Sequence, residues 1–293
     1  MNRSRLQIAK PDIKAFFDAH AHRVLKYREI GKLLSDQRSG WRLAQSTTID
    51  AFVRFLSKSG DLKELAFELP HRRETLYVWG RVPLLESLLH LKEKSYFSHY
   101  TAMQWHGLTE QLPKTLYLSH ERSTEVQASE LDQAAIDEAF KRPPRISKNT
   151  VDLDGRRIFL INSAFTDERG VVSQEVQQGS EEAATVRLTN IERTLIDAAV
   201  RPFYSGGAHE VAKAFELAKG RVSINALSAM LKQLAYAYPY HQAIGYYMER
   251  AGYTQTQLDL LRRLTRKFDF YLTHEMVEAV YVEAWSLYVP KGF

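Results

Sequence analysis

The chain has 293 residues, 44% of them apolar and 26% charged, with no cysteine and a formal net charge of +5. At roughly 100–200 residues per domain that length suggests two domains, and the apolar share argues against a disordered chain. The missing cysteines exclude a disulfide framework, thiolate metal sites and a cysteine nucleophile, and no stretch approaches the ~18 apolar residues of a membrane span.

The charged start lacks the apolar run of a signal peptide, so a cytoplasmic protein without a membrane partner is expected. The placement of charge says more than its total. Residues 1–81 carry 16 Lys and Arg against 9 Asp and Glu, whereas residues 82–293 carry 24 against 26. A basic module on a near-neutral body points to a polyanion-binding head joined to a separate working domain, with the boundary at 81/82.

Apolar spacing in residues 1–81 predicts three helices and a hairpin, the order of a winged helix-turn-helix. The first helix starts near Pro11 and carries Ile13, Phe16, Phe17 and Val24. The second covers residues 27–35, with Ile30, Leu33 and Leu34 on one side, and turn-forming residues follow over 36–40. Thr47 is the expected cap of the third, with Asp50 three residues on. At about 100° per residue Ile49, Phe52, Val53 and Leu56 form one apolar stripe, and Thr47, Ala51, Arg54 and Lys58 face the other way. That outer face is small, hydroxylated and basic, as a helix approaching a DNA groove must be. Alternating residues 65–69 and 75–79 form a hairpin, and Arg72 and Arg73 lie in its tip, as in a wing over a phosphate backbone.

The body is expected to be α+β with a helical C-terminal half. Helices are predicted over 82–91 and 96–105, and a strand over 113–119. A polar tract follows over 123–149, then a hairpin around Asp154-Gly155. A short strand at 185–188 leads into a helix over 190–200, helical pattern continues to 264, and strands close the chain at 268–273 and 285–289.

Candidate chemistry in the body is sparse. His99 and His106 share a helix face and His120 follows, but no HExxH motif accompanies them. Arg193 and Asp197 stand at i and i+4, where they can pair, with Asn190 as cap and Glu192 in the first turn. Ser205-Gly206-Gly207 could offer backbone N–H groups to an anion but lacks a P-loop Lys. Asp152 and Asp154 are candidate metal carboxylates, although a hairpin turn accounts for Asp154. The tyrosine-dense run from Tyr236 to Tyr247, including Tyr238, Tyr240 and His241, has the composition of contact surfaces. No catalytic residue, metal site or cofactor is expected.

The body resembles the AbiEi family of antitoxins from type IV (abortive-infection) toxin–antitoxin systems. The resemblance rests on Tyr96-Phe97-Ser98-His99-Tyr100-Thr101-Ala102-Met103 with His106-Gly107-Leu108, and on Glu192-Arg193-Thr194-Leu195-Ile196-Asp197 with Arg201-Pro202. Tyr238-Pro239-Tyr240-His241-Gln242 and the ending from Trp285 to Phe293 complete it. It implies an N-terminal winged helix that represses its own promoter and a body that counters a nucleotidyltransferase-like toxin. Arg193, Asp197, Arg201, Tyr238, Tyr240 and His241 are then candidate partner-surface residues. For the head, Thr47, Thr48, Arg54 and Lys58 would enter or edge the major groove of double-stranded DNA. Arg72 and Arg73 would reach it from the wing, Arg38 and Arg42 would add backbone contacts, and a homodimer would sit on an inverted repeat. The alternatives are a metal-dependent nuclease or a stand-alone ligand-sensing repressor with the same head.

Overall fold

The computed structural model describes residues 4–123, 131–177 and 182–293, and its class is mixed α+β. Two compact units divide the chain, Met1–Glu93 with Glu175–Thr185 and Lys94–Gln174 with Val186–Phe293. The expected first domain therefore lies inside the first unit, which runs on past residue 81.

The first unit is built in the order α1 (Arg5–Ala19), β1 (Val24–Lys26), α2 (Tyr27–Gln37), α3 (Ile49–Lys58), β2 (Leu62–Leu69), β3 (Arg72–Trp79) and α4 (Leu84–Leu88). Its three strands form an antiparallel sheet in the order β1-β3-β2. Helix α1 starts earlier than the expected Pro11. The Ser4 hydroxyl accepts from the Gln7 backbone, and the Gln7 side chain accepts from the Ser4 N–H, a reciprocal cap that overrides the proline signal. Val24, expected on that helix, pairs with Val78 across the sheet. The cap of α3 is Thr48 rather than Thr47; its hydroxyl accepts the Ala51 N–H at 3.2 Å.

Aromatic packing holds this unit together. Phe17 stacks on Trp79 at 4.8 Å, and Trp41 stacks on Phe52 at 5.7 Å. Ile13, Ile30 and Leu56 are buried in the same core. Trp41 and Leu43 enter it from the segment between α2 and α3, so that segment is anchored despite its turn-rich sequence. The Trp79 indole N–H donates to Asp18 at 2.8 Å, tying β3 to the end of α1.

The remaining elements are β4 (Tyr96–Phe97), α5 (His99–Trp105), β5 (Thr115–Glu121), α6 (Gln133–Lys141), β6 (Thr150–Leu153), β7 (Arg156–Ser163), β8 (Val171–Val176), β9 (Ala184–Thr189) and α7 (Ile191–Val200). Then come α8 (Ala208–Ala218), α9 (Ile224–Leu234), α10 (Tyr240–Arg250), α11 (Gln255–Arg262), β10 (Phe270–Tyr271), β11 (Ala279–Val282) and β12 (Leu287–Pro290). Strands β6-β7-β5-β4-β9-β8 make a six-stranded mixed sheet, and β10-β12-β11 make a small one. The helical core gathers Leu195, Ile196, Phe215, Leu227, Ile244 and Tyr247.

Several body elements differ from expectation. Only Leu84–Leu88 of the helix expected over 82–91 is helical. Tyr96 and Phe97 form a strand, with Phe97 between Leu118 and Leu188, so sheet pairing wins over helical spacing there. Part of the polar tract, residues 124–130, lies outside the described residues. Its later part forms α6, where the Asp132 carboxylate accepts the Ala135 N–H at 2.7 Å and Ile136 and Phe140 turn inward. Strands β8 and β11 had no predicted counterpart, and Trp285 ends a 3-10 turn instead of opening a strand.

That tryptophan sits where α10 has no side chain. A Cβ on Gly245 would stand 2.1 Å from the Trp285 ring, whose N–H is held by Glu249 at 2.8 Å. Gly245→Ala is therefore expected to displace the ring and destabilise the chain by about 1–3 kcal/mol, read as a lower urea midpoint. An unchanged midpoint would mean that the ring yields freely.

Candidate functional site

Two places bring the sequence candidates together, one in each unit. In the first, α3 turns Phe52, Val53 and Leu56 into the core and leaves Ala51, Arg54 and Lys58 exposed, as the stripe predicted. Arg54 and Lys58 border an open depression of about 490 Å³ shared with Tyr27, Asp50, Glu64 and Tyr77. Its carboxylates have local partners: Asp50 accepts from the Tyr27 hydroxyl at 2.6 Å, and Glu64 from the Ser57 hydroxyl at 3.3 Å.

The hairpin zips further than its alternation suggested. Leu69 pairs with Arg72 across a two-residue Pro70-His71 turn, so both arginines start β3 rather than filling a loop. Arg72 contacts Glu74 at 2.8 Å with its side chain 48% exposed, and Arg73 contacts Glu68 at 3.2 Å with 64% exposed. Surface pairs of this kind are weak, and a phosphate oxygen can replace the carboxylate at little cost.

Arg42 is exposed and has a left-handed backbone, φ 52°. Arg38 has another task than the phosphate contact expected of it. Its guanidinium donates to the carbonyls of Ala44 at 2.6 Å, Gln45 at 3.3 Å and Thr47 at 3.1 Å, closing the loop that leads into α3. Thr47 contributes through that carbonyl and Thr48 through its cap, so both position the helix.

In the second unit, the histidines and acids considered as metal ligands disperse. His106 contacts the Thr189 carbonyl at 2.6 Å, and Asp152 pairs with Arg157 at 3.0 Å. Among the described residues no three His, Asp or Glu side chains gather as a metal site requires. At the Gly-Gly turn before α8, Glu210 packs against Gly206, where a Cβ would meet it at 2.7 Å.

Arg193 and Asp197 do come together. Asn190 caps α7 by accepting the Arg193 N–H at 2.9 Å, and one turn later the Arg193 Nε donates to the Asp197 carboxylate at 2.8 Å. Both side chains are almost fully buried, 3% and 9% exposed. Arg193 Nη1 also donates to the Arg169 carbonyl at 2.7 Å and the Thr166 hydroxyl at 3.1 Å. Burial opposes the guanidinium charge, but Asp197 together with the neighbouring Tyr236 and Tyr96 raises the arginine's pKa.

Glu121, at the end of β5, grips the same loop from the other side. Its carboxylate accepts the N–H groups of Thr166 at 2.7 Å and Glu168 at 3.2 Å, and the Tyr96 hydroxyl at 3.2 Å. Nothing in the spacing of Glu121, Thr166 or Arg169 marked them in the sequence.

A cleft of about 40 Å³ opens here, lined by His99, Thr166, Arg193, Asp197, Arg201 and Tyr236. His99 opens α5 with φ 51°, an uncommon conformation for a non-glycine residue. Its ring packs 5.3 Å from Tyr204, and Nδ1 has no hydrogen-bond partner among the described residues. Burial pushes its pKa down to about 4 against the pull of Asp197, so the ring is neutral near pH 7.

Tyr236 also walls a second cavity of about 180 Å³, together with Tyr238, Tyr240, His241 and Leu231. Tyr236 meets Tyr240 edge-on at 5.4 Å. His241 Nε2 has no partner among the described residues, and burial helped by Arg266 lowers its pKa to about 4. The six body candidates thus line two cavities that share one tyrosine. Asp197→Ala would leave the Arg193 charge buried and uncompensated, an expected loss of about 3–5 kcal/mol measurable by urea denaturation. A smaller loss than about 1 kcal/mol would show that solvent reaches the pair.

No family model and no curated protein matches the chain. Its architecture is similar to the crystal structure of the RV2827C protein from Mycobacterium tuberculosis, with a TM-score of 0.56 at 14% sequence identity. The match covers 98% of this chain and 93% of that one, a likeness of fold over nearly the full length of both.

Proposed function

We propose that the chain is a cytoplasmic DNA-binding transcriptional regulator whose first unit is a winged helix. The observation that carries this reading is the joint exposure of Arg54 and Lys58 on α3 and of Arg72 and Arg73 on the β2–β3 hairpin. The supporting frame is the order α1-β1-α2-α3-β2-β3 with a β1-β3-β2 sheet, in which the second of two adjacent helices offers a basic face and the hairpin offers a basic edge. A helix of that chemistry suits the major groove, and arginines on a hairpin suit the flanking phosphates.

In this reading two copies sit on an inverted repeat in the chain's own promoter. The resemblance of the Glu192–Asp197 stretch and its companions adds the second half of the proposal, in which the body counters a nucleotidyltransferase-like toxin. Among the described residues no helix is long and apolar enough to cross a membrane.

Five exposed cations on and beside α3 and the hairpin are assigned to phosphates in this reading: Arg42, Arg54, Lys58, Arg72 and Arg73. At about −0.9 per phosphate contact, the logarithm of affinity for duplex DNA should fall with the logarithm of salt at a slope near −4.5 per subunit. Replacing both Arg72 and Arg73 by alanine should flatten that slope by about 2, and an unchanged slope would remove the hairpin from the interface. Arg38→Ala should lower the melting temperature while keeping the slope, because its guanidinium holds loop carbonyls; a flatter slope would return it to the DNA. Rescue of cells from the product of a neighbouring toxin gene by the full chain tests the antitoxin half, and failure to rescue leaves a repressor alone.

A further inference from the structure

We propose that the cleft between Arg193, Arg201 and Tyr236 in the second unit binds a single oxyanion group, a phosphate or a carboxylate. Charge is the first argument. Arg193 and Asp197 neutralise each other, and Arg201, half-buried, enters no ion pair or side-chain hydrogen bond among the described residues. With His99 neutral, the lining carries one net positive charge in a place partly withdrawn from water. A cation would be repelled there, and an anion would give the Arg201 guanidinium a charged acceptor, the stronger kind of hydrogen bond.

Hydrogen-bond donors are the second argument. Arg193 uses Nε and Nη1 for Asp197, Thr166 and Arg169, and its Nη2 makes no hydrogen bond among the described residues. The Tyr236 hydroxyl makes no hydrogen bond among the described residues, and burial raises its pKa, so it remains protonated and able to donate. Two guanidiniums and a phenol in one small lining suit the lone pairs of a planar carboxylate or a phosphate face.

Size is the third. About 40 Å³ is several times the ~10–15 Å³ that admits one water, enough for one anionic head but not for a whole metabolite. The left-handed backbone at His99 adds weight. Such strain persists only where the surroundings impose it, and it gathers at ligand sites. The inference uses the second unit alone and stands whether or not the first binds DNA.

The test uses the full chain, titrated by calorimetry with inorganic phosphate and separately with acetate, while the His99 ring nitrogens are followed by NMR. Saturable binding of either anion that shifts the His99 signals is the expected result, and the anion that saturates at the lower concentration names the source. Arg201→Gln should weaken that binding about tenfold, and Tyr236→Phe, which removes one hydroxyl and little else, should weaken it severalfold. The proposal is overturned by three outcomes: neither anion saturates, binding leaves the His99 signals unmoved, or both variants bind like the parent. If Arg201→Gln does not fold, Tyr236→Phe carries the decision.

Discussion

A single buried guanidinium organises the centre of the second unit. Taking Arg193 out of water is costly, and the acceptors that meet its Nε and Nη1 offset that cost. Asp197 lies one helical turn away, the Arg169 carbonyl and Thr166 hydroxyl lie on the neighbouring loop, and Tyr96 and Tyr236 flank it. These partners come from α7, from the 164–170 loop, from β4 and from the chain after α9, so satisfying one side chain engages four segments. Glu121 completes the arrangement by holding the same loop through its backbone N–H groups. The loop adopts left-handed backbone at Asp167 and Glu168 between these two grips. Where a charge must be matched at such expense, the groups that match it leave little freedom, and the cleft inherits their rigidity.

The first unit solves a different problem by different means. It is small, and its stability rests on stacked rings: Phe17, Trp41, Phe52 and Trp79 concentrate apolar area in a few side chains. Because those rings satisfy the core, α3 can leave arginine and lysine outside, and the hairpin edge can carry arginines with only surface carboxylates as partners. Arg38 illustrates the division. It is as basic as its neighbours, yet it lies within reach of three loop carbonyls, and local geometry claims it.

Periodicity made the architecture of the first unit readable, because a 3.6-residue stripe on α3 and a two-residue alternation in β2 and β3 are local signals. Boundaries were less readable where two signals competed. Pro11 outshone the Ser4–Gln7 cap, and Thr47 stood beside the true cap, Thr48. The body was harder. Tyr96 and Phe97 carry helical spacing but are held as a strand by partners at 118 and 188, which no local window contains. The i,i+4 relation of Arg193 and Asp197 was visible, whereas their burial was not, because it depends on Glu121, Thr166 and Tyr236 arriving from distant parts of the chain. The Gly245–Trp285 contact is equally silent in sequence, since a lone glycine in a helical pattern does not announce what packs on it.

The amide of Gln242, on α10, has a consequence for the order of events during synthesis. Its Nε2, with two N–H groups to give, lies 2.8–3.0 Å from the carbonyl oxygens of Phe268, Trp285 and Ser286, deep in the interior. Helix α10 leaves the ribosome some forty residues before the last of these acceptors does. Until residue 286 emerges, that amide has only part of its final set of acceptors, and enclosing it early costs about 1–3 kcal/mol, which favours late closure around it. Final locking of this region is therefore a late step, set by the arrival of a short 3-10 turn rather than by the helices themselves.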